Sequence, residues 1–295
     1  MHNSNSAKSS TGGLSRHDDG RPIFEALRRL GFKPNPNELT IGAPTSNGHD
    51  KPRPASAMKI RPDGRLDRHS LGFMLRYLRQ GDAVLDIGAS TGTCAIAAGR
   101  LVGPAGRVDA FEPSPTIRAR LIENIGHSNL KSVVVIHNLM AGATAGLGRF
   151  VDGTGKSGRR RPPLAGELAT RVIGVEMVRL EQFIGARRVA LMCLDIAGGE
   201  FNALRGAEAQ LRNSNPPAML LAIDSALTDF GVTADLLVDW LDERGYEITI
   251  YDVDRNMIDY PEVPWRQRRT VLAMARGARN SVLRRLADNG NSAGR

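Results

Sequence analysis

Asp86 heads the run Asp86-Ile-Gly-Ala-Ser-Thr-Gly92, whose two glycines stand four residues apart. Gly88 lets the backbone turn and approach a ligand closely, and Gly92 lets a helix start tightly against its neighbours. Ala89 and Ser90 complete the turn, and the N–H groups of a helix start suit a carboxylate or a hydroxyl. Asp86 can hold a cationic amino group. Glu112 follows 26 residues later in Ala110-Phe-Glu-Pro113. From there it can accept both hydroxyls of a ribose as a fork. An acid at a second strand end also occurs in NAD-binding folds, but the glycine spacing departs from G-x-G-x-x-G. Together the features favour a nucleoside carrying an amino acid over a pyrophosphate. Asp195 and His137 fall at later strand ends and are the candidate proton acceptors. The bland alternatives are a helix cap or cofactor-side group for Asp195, and a structural or adenine-side residue for His137.

The elements that must position these groups read from the apolar pattern. Leu71, Met74, Leu75 and Leu78 space a helix over His69–Arg79. Ala83–Ile87 reads as a buried parallel strand, Thr93–Val102 as a helix stopped by Gly103-Pro104, and Arg107–Phe111 as a second strand. Ser114 and Pro115 start the next helix, with Ile117, Leu121 and Ile125 as its stripe. Ser132–Ile136 is a third strand. Residues 141–171 are Gly- and Arg-rich and read as a loop or small hairpin. Val189–Leu194 and Ala218–Ile223 are further strands, with a helix on Phe201, Leu204, Ala207 and Leu211 between them. A helix around Leu236–Leu241 precedes strands Tyr246–Tyr251 and Thr270–Met274. This alternation predicts an α/β fold, a mostly parallel seven-stranded sheet with helices on both faces. Ligands of such sheets sit at the carboxyl ends of the strands.

Residues 1–60 read as a disordered tail and linker with a short amphipathic helix over Pro22–Phe32. That helix is a transient one, or a lid or homodimer contact. Residues 61–275 read as the folded domain and 276–295 as a basic tail. The net charge of +9 divides as +4 before residue 61, +4 after 275 and +1 between. The excess belongs to the ends, so a nucleic-acid groove is not expected. Aromatics at 5% leave little for base stacking. Cys94 and Cys193 lie in apolar runs and read as two core thiols, with no disulfide framework or metal site. No apolar run approaches a membrane span or an export signal, and a cytoplasmic location is expected.

Leu85-Asp-Ile-Gly-Ala-Ser-Thr-Gly92 followed by Leu101-Val-Gly-Pro-Ala-Gly-Arg-Val-Asp-Ala-Phe-Glu-Pro113 resembles the FkbM family of S-adenosylmethionine-dependent methyltransferases. Val178-Arg-Leu-Glu-Gln-Phe183, Leu194-Asp-Ile-Ala-Gly-Gly-Glu200 and Pro216-Pro-Ala-Met-Leu-Leu221 follow in the family's order. The likeness covers about residues 80–252. It implies a class I methyltransferase Rossmann-like fold and S-adenosylmethionine as cofactor. The implied reaction methylates a hydroxyl on a small molecule, glycan or secondary metabolite, without a metal. By position, Asp86, Gly88 and Gly92 line the methionine end and Glu112 holds the ribose. Asn138 to Met140 frame the adenine, and Asp195 lies nearest the transferred methyl.

The fourth-strand element departs from the family's K-I-D-V-E-G. Cys193 stands in place of its lysine and Ala197 in place of its first glutamate, while Glu200 keeps the second. Met140-Ala-Gly-Ala143 replaces an element that usually ends in Ser-Asp, and Asp224 keeps the fifth-strand acid. The cofactor half is kept and the acceptor half altered. Three readings follow: a small-molecule O-methyltransferase, a silent cofactor-binding protein, and a nucleic-acid methyltransferase. The last lacks an Asn/Asp-Pro-Pro-aromatic motif to stack a flipped base. Arg159–Arg161 and Trp265 are further candidates for an acceptor surface, against a solvated loop and a partly buried cap.

Overall fold

The computed structural model describes residues 32–35, 38–41, 66–151, 172–267 and 269–288. Two short strands interrupt the stretch read as linker: β1 (Phe32–Asn35) pairs antiparallel with β2 (Glu38–Ile41). The expected disorder over 1–20, the helix before Phe32 and the Arg159–Arg161 run lie outside the described residues.

The chain then alternates as expected. In α1 (Arg68–Tyr77) the Asp67 side chain caps the first turn, accepting from the N–H groups of His69 and Ser70. Next come β3 (Ala83–Ile87), α2 (Thr93–Val102) and β4 (Arg107–Phe111), with the predicted bounds. Ser114 Oγ accepts from Ile117 N at 3.3 Å to start α3 (Pro115–His127), with Pro115 in the first turn. After β5 (Val134–His137) the Gly-rich excursion builds β6 (Met140–Ala141), β7 (Gly146–Val151) and β8 (Val172–Val178). These three form a separate sheet in the order β6-β8-β7.

α4 (Leu180–Ile184) leads to β9 (Leu191–Leu194). The single helix expected next is split into α5 (Glu200–Arg205) and α6 (Glu208–Arg212). β10 (Ala218–Ala222), α7 (Ala234–Asp242), β11 (Tyr246–Asp252) and β12 (Met257–Asp259) follow. The chain ends in α8 (Pro264–Gln267), β13 (Thr270–Ala275) and α9 (Arg279–Asp288).

The main sheet runs β12-β11-β13-β10-β9-β3-β4-β5. Strands β10, β9, β3, β4 and β5 pair in parallel, and β13 runs antiparallel between β10 and β11. This is the expected Rossmann-like sheet with one strand more than the seven predicted, because β12 folds back on β11 at the edge. Alternation along the strands feeds two cores. Val84, Val108, Ala110 and Leu220 join one with α1, α2 and α9, while Leu85, Ile87, Met192 and Leu221 join the other with α4 to α7.

The expected basic tail is, over Arg279–Asp288, a docked helix. Val282 and Leu286, four apart on one face of α9, are buried against the α1 side of the sheet. Three arginines in or just before it are engaged within the fold. Arg285 Nη1 donates to Asp82 Oδ2 at 2.6 Å, Arg276 pairs with Asp242, and Arg279 lies over the Tyr260 ring.

Candidate functional site

After β3 the chain turns through Gly88 at φ +89°. A Cβ there would lie 2.2 Å from the Asp195 carbonyl oxygen and 2.7 Å from Ile196 Cγ2. Only glycine lets this turn pass the end of β9. At Gly92, φ is +99° and a Cβ would meet Leu121 Cδ1 at 2.7 Å, the tight packing of α2 on α3 that the spacing predicts.

Four N–H groups of the turn are taken up within the protein. Gly88 and Ala89 donate to the Phe111 carbonyl at 3.0 and 2.9 Å, and Gly92 donates to the Ala89 carbonyl at 2.8 Å. Ser90 N donates to Glu112 Oε2 at 3.0 Å, and Ser114 N to Glu112 Oε1 at 2.9 Å. The Glu112 side chain is sealed from solvent. Glu112 is a staple between the glycine turn and the start of α3, each oxygen accepting from one backbone N–H. Gly88, Ala89, Ser90 and Gly92 thus give their backbone donors to the protein. The cause is backbone accounting, since buried N–H groups in a tight turn must find acceptors.

Asp86 is buried on the α2 side of β3, beside a narrow recess of about 30 Å³. Ser70, Thr93, Cys94 and Cys193 share that recess. Cys193 stands opposite Asp86 in the β3–β9 ladder, and Cys94 lines the same recess. The neighbouring Cys94 side chain favours the Cys193 thiolate, but burial and the Asp86 charge together outweigh it and push the thiol up. The two cysteines are thus neighbours, although 99 residues separate them in sequence.

Gly88 and Asp195 line this recess and also a larger cavity of about 400 Å³. Ile87, Phe111 and Ile196 form its floor at the carboxyl ends of the strands, and Leu139 and Met140 one wall. Leu147, Phe150 and Met177 cover it from the excursion sheet. Apolar walls with a few polar groups, in a volume of roughly 300–1,000 Å³, mark small-molecule sites. Gly88 and Asp195 stand where this cavity meets the recess that holds Asp86. Asn138 does not join the cavity. Its Oδ1 accepts from Arg118 Nη1 at 2.5 Å on the exposed side, so Leu139 and Met140 alone of that segment reach the cavity.

Asp195 is held rigidly. Arg269 donates to Asp195 Oδ1 from Nη2 at 2.6 Å and to Oδ2 from Nη1 at 2.9 Å. Its Nε reaches Asp224 Oδ2 at 3.1 Å. Hydrogen bonds and charge from Asp195 are the main reasons the Arg269 guanidinium is held above its ordinary value, against the opposing effect of burial. Sequence reading passed over Arg269. The signal lay in topology: β9 and β10 end in neighbouring aspartates, and the antiparallel β13 begins where they end. Below Asp195, Glu200 is buried and accepts from Ile196 N at 2.8 Å and Gly198 N at 2.9 Å. Burial pushes its carboxyl up to about 7, the Asp195 charge adding and the backbone donors opposing.

His137, the other candidate base, is turned away from this cavity. Its Nε2 lies 2.8 Å from Asp109 Oδ1, and its ring packs on Phe111 and Phe183 at centroid distances of 5.0 and 4.9 Å. Arg107 and Arg187 also donate to the buried Asp109. Burial alone would raise the Asp109 carboxyl, but hydrogen bonds from His137, Arg107 and Arg187 hold it well below the carboxylate range. Trp265 packs, partly buried, against the α4–α7 core as a cap.

Residues 86–248 match the family model of the methyltransferase FkbM domain. None of the curated proteins matches the chain. Solved structures with a related chain path include a methyltransferase FkbM from Methylobacillus flagellatus KT, at 16% identity and TM-score 0.40. That pair covers 65% of this chain, which spans 43% of the other. An S-adenosylmethionine-dependent O-methyltransferase from Thermotoga maritima is 12% identical, over 70% of this chain and 64% of that one, with TM-score 0.35. Aeropyrum pernix fibrillarin, solved with S-adenosyl-L-methionine bound, is 15% identical over 68% and 71%, with TM-score 0.35.

Proposed function

The chain belongs to the FkbM methyltransferase family, and from this premise we propose that it methylates a hydroxyl oxygen of a small molecule, glycan or secondary metabolite. The observation that carries the proposal is the Asp195 carboxylate, fixed by Arg269 where the recess meets the larger cavity. S-adenosylmethionine supplies the methyl group on a sulfonium, for in-line displacement by the acceptor oxygen. Gly88 lets the turn pass the end of β9; Leu139 and Met140 would take the base of that ligand, and Asp86 would face its amino group. Glu112 keeps the turn in the shape that admits it.

Alignment supplies much of the rate in such a displacement. Asp195 has the further role of accepting the hydroxyl proton as the O–C bond forms. Both of its oxygens are engaged by Arg269, so that role requires the guanidinium to shift toward Asp224. A second reading, cofactor binding without transfer, is favoured by this engagement and by Cys193 and Ala197 in the altered element. Among the described residues no helix is long and apolar enough to cross a membrane. Two core thiols in the sequence suit a reducing, cytoplasmic location.

Calorimetric titration with S-adenosylmethionine tests the premise. Binding is expected, with loss in Asp86→Ala and Gly88→Val; an intact, folded protein that binds nothing overturns both readings. Labelled methyl transfer into a metabolite extract then separates them. Asp195→Asn is expected to slow transfer by roughly 10²–10⁴ with binding retained. Binding with no transfer to any extract fraction selects the second reading.

A further inference from the structure

We propose that Cys94 and Cys193 are a redox pair whose disulfide closes the recess beside Asp86 and bars the cofactor. Cys94 reaches the recess from the first turn of α2 and Cys193 from the middle of the sheet. Both thiols line the same narrow recess as Asp86 and Gly88. They differ in access: Cys94 is half-buried and Cys193 fully buried. A peroxide therefore meets Cys94 first. The Cys94 sulfur attacks one peroxide oxygen and the O–O bond breaks, giving a sulfenic acid and releasing an alcohol or water. The Cys193 sulfur then attacks the Cys94 sulfur, the S–O bond breaks, and water leaves with the Cys193 proton. Two electrons pass from the thiols to the peroxide.

The consequence is mechanical. Cys94 is the second residue of α2, directly after the turn that ends at Gly92. Drawing it onto Cys193 pulls the start of α2 across Asp86, in a recess with room for about one water molecule. The Glu112 staple and the packing of Gly92 on Leu121 leave the turn no slack to compensate. This gating half rests on the function proposed above, whereas formation of the bond does not.

The test treats the full chain with hydrogen peroxide and reads intact mass under denaturing, non-reducing conditions. A loss of two mass units is expected, with a Cys94–Cys193 cross-linked peptide that dithiothreitol reverses. In Cys193→Ser the cross-link is absent and Cys94 is trapped by dimedone as the sulfenic acid; Cys94→Ser is the companion if that variant folds poorly. Calorimetry with S-adenosylhomocysteine is expected to show at least tenfold weaker binding after oxidation, restored by reduction. Both thiols still open to alkylation after peroxide overturns the pair. A cross-linked protein that binds as tightly as the reduced one overturns the gating. A reduced protein that does not bind overturns the gating together with its premise, while the mass measurement still decides the bond.

Discussion

A carboxylate with no solvent contact has to be matched by donors, and Glu112 shows how much local structure such matching can organise. Its two oxygens join Ser90 to Ser114 across the ends of β3 and β4. Glu112→Ala leaves two buried N–H groups without acceptors and is expected to cost about 2–4 kcal/mol, read from the denaturant midpoint. A group that only touched ribose would lose cofactor affinity without losing stability, so paired calorimetry and unfolding distinguish the two roles. Asp109 makes the complementary case on the opposite side of the sheet. Its carboxyl is lower in the folded chain than in the unfolded one, so its stabilisation is present above the unfolded value, near pH 4, and is lost as pH falls. Asp109→Asn is expected to cost roughly 2–3 kcal/mol at pH 6, discounted for its half-exposed arginine partners. The penalty shrinks in unfolding curves taken below about pH 4.

Elements were legible in sequence where punctuation was strong. β3, α2 and β4 begin and end where predicted, because Gly-Pro and Gly-x-x-x-Gly breaks bound short apolar runs. Composition hid α9: its arginines read as a tail, and only Val282 and Leu286 carry the apolar face. Leu286→Ala is expected to lower stability by about 2–4 kcal/mol in denaturant titration, as for a buried leucine; a change under about 0.5 kcal/mol would show that α9 is not docked in solution. The strands of the excursion were obscured by glycine, which weakens strand propensity without forbidding pairing. At the site, the glycine turn was legible because its geometry is local. The Arg269 clamp and the meeting of Cys94 with Cys193 were not, since each joins segments brought together only by strand order.

At the scale of the whole molecule, the excess positive charge lies at the two ends, and part of the C-terminal share is paired within the described fold. Arg276 and Arg285 answer Asp242 and Asp82, and the span from 61 to 275 is close to neutral. Non-specific RNA binding at physiological salt is therefore expected to be no tighter than about 10⁻⁴ M by fluorescence anisotropy. Removing residues 1–60 is expected to weaken it further; sub-micromolar affinity that survives the trimming would revive the nucleic-acid reading.

The floor of the large cavity comes from strand ends locked in the register of the main sheet, while its cover comes from a sheet that pairs only with itself. Floor and cover are therefore separable inheritances. Substitutions in the excursion leave the β3–β4–β9 ladder untouched, so the cover can vary while the floor is kept. The same partition makes residues 141–178 a natural graft boundary: a chimera carrying a relative's excursion on this scaffold would change the cavity's cover and keep its floor.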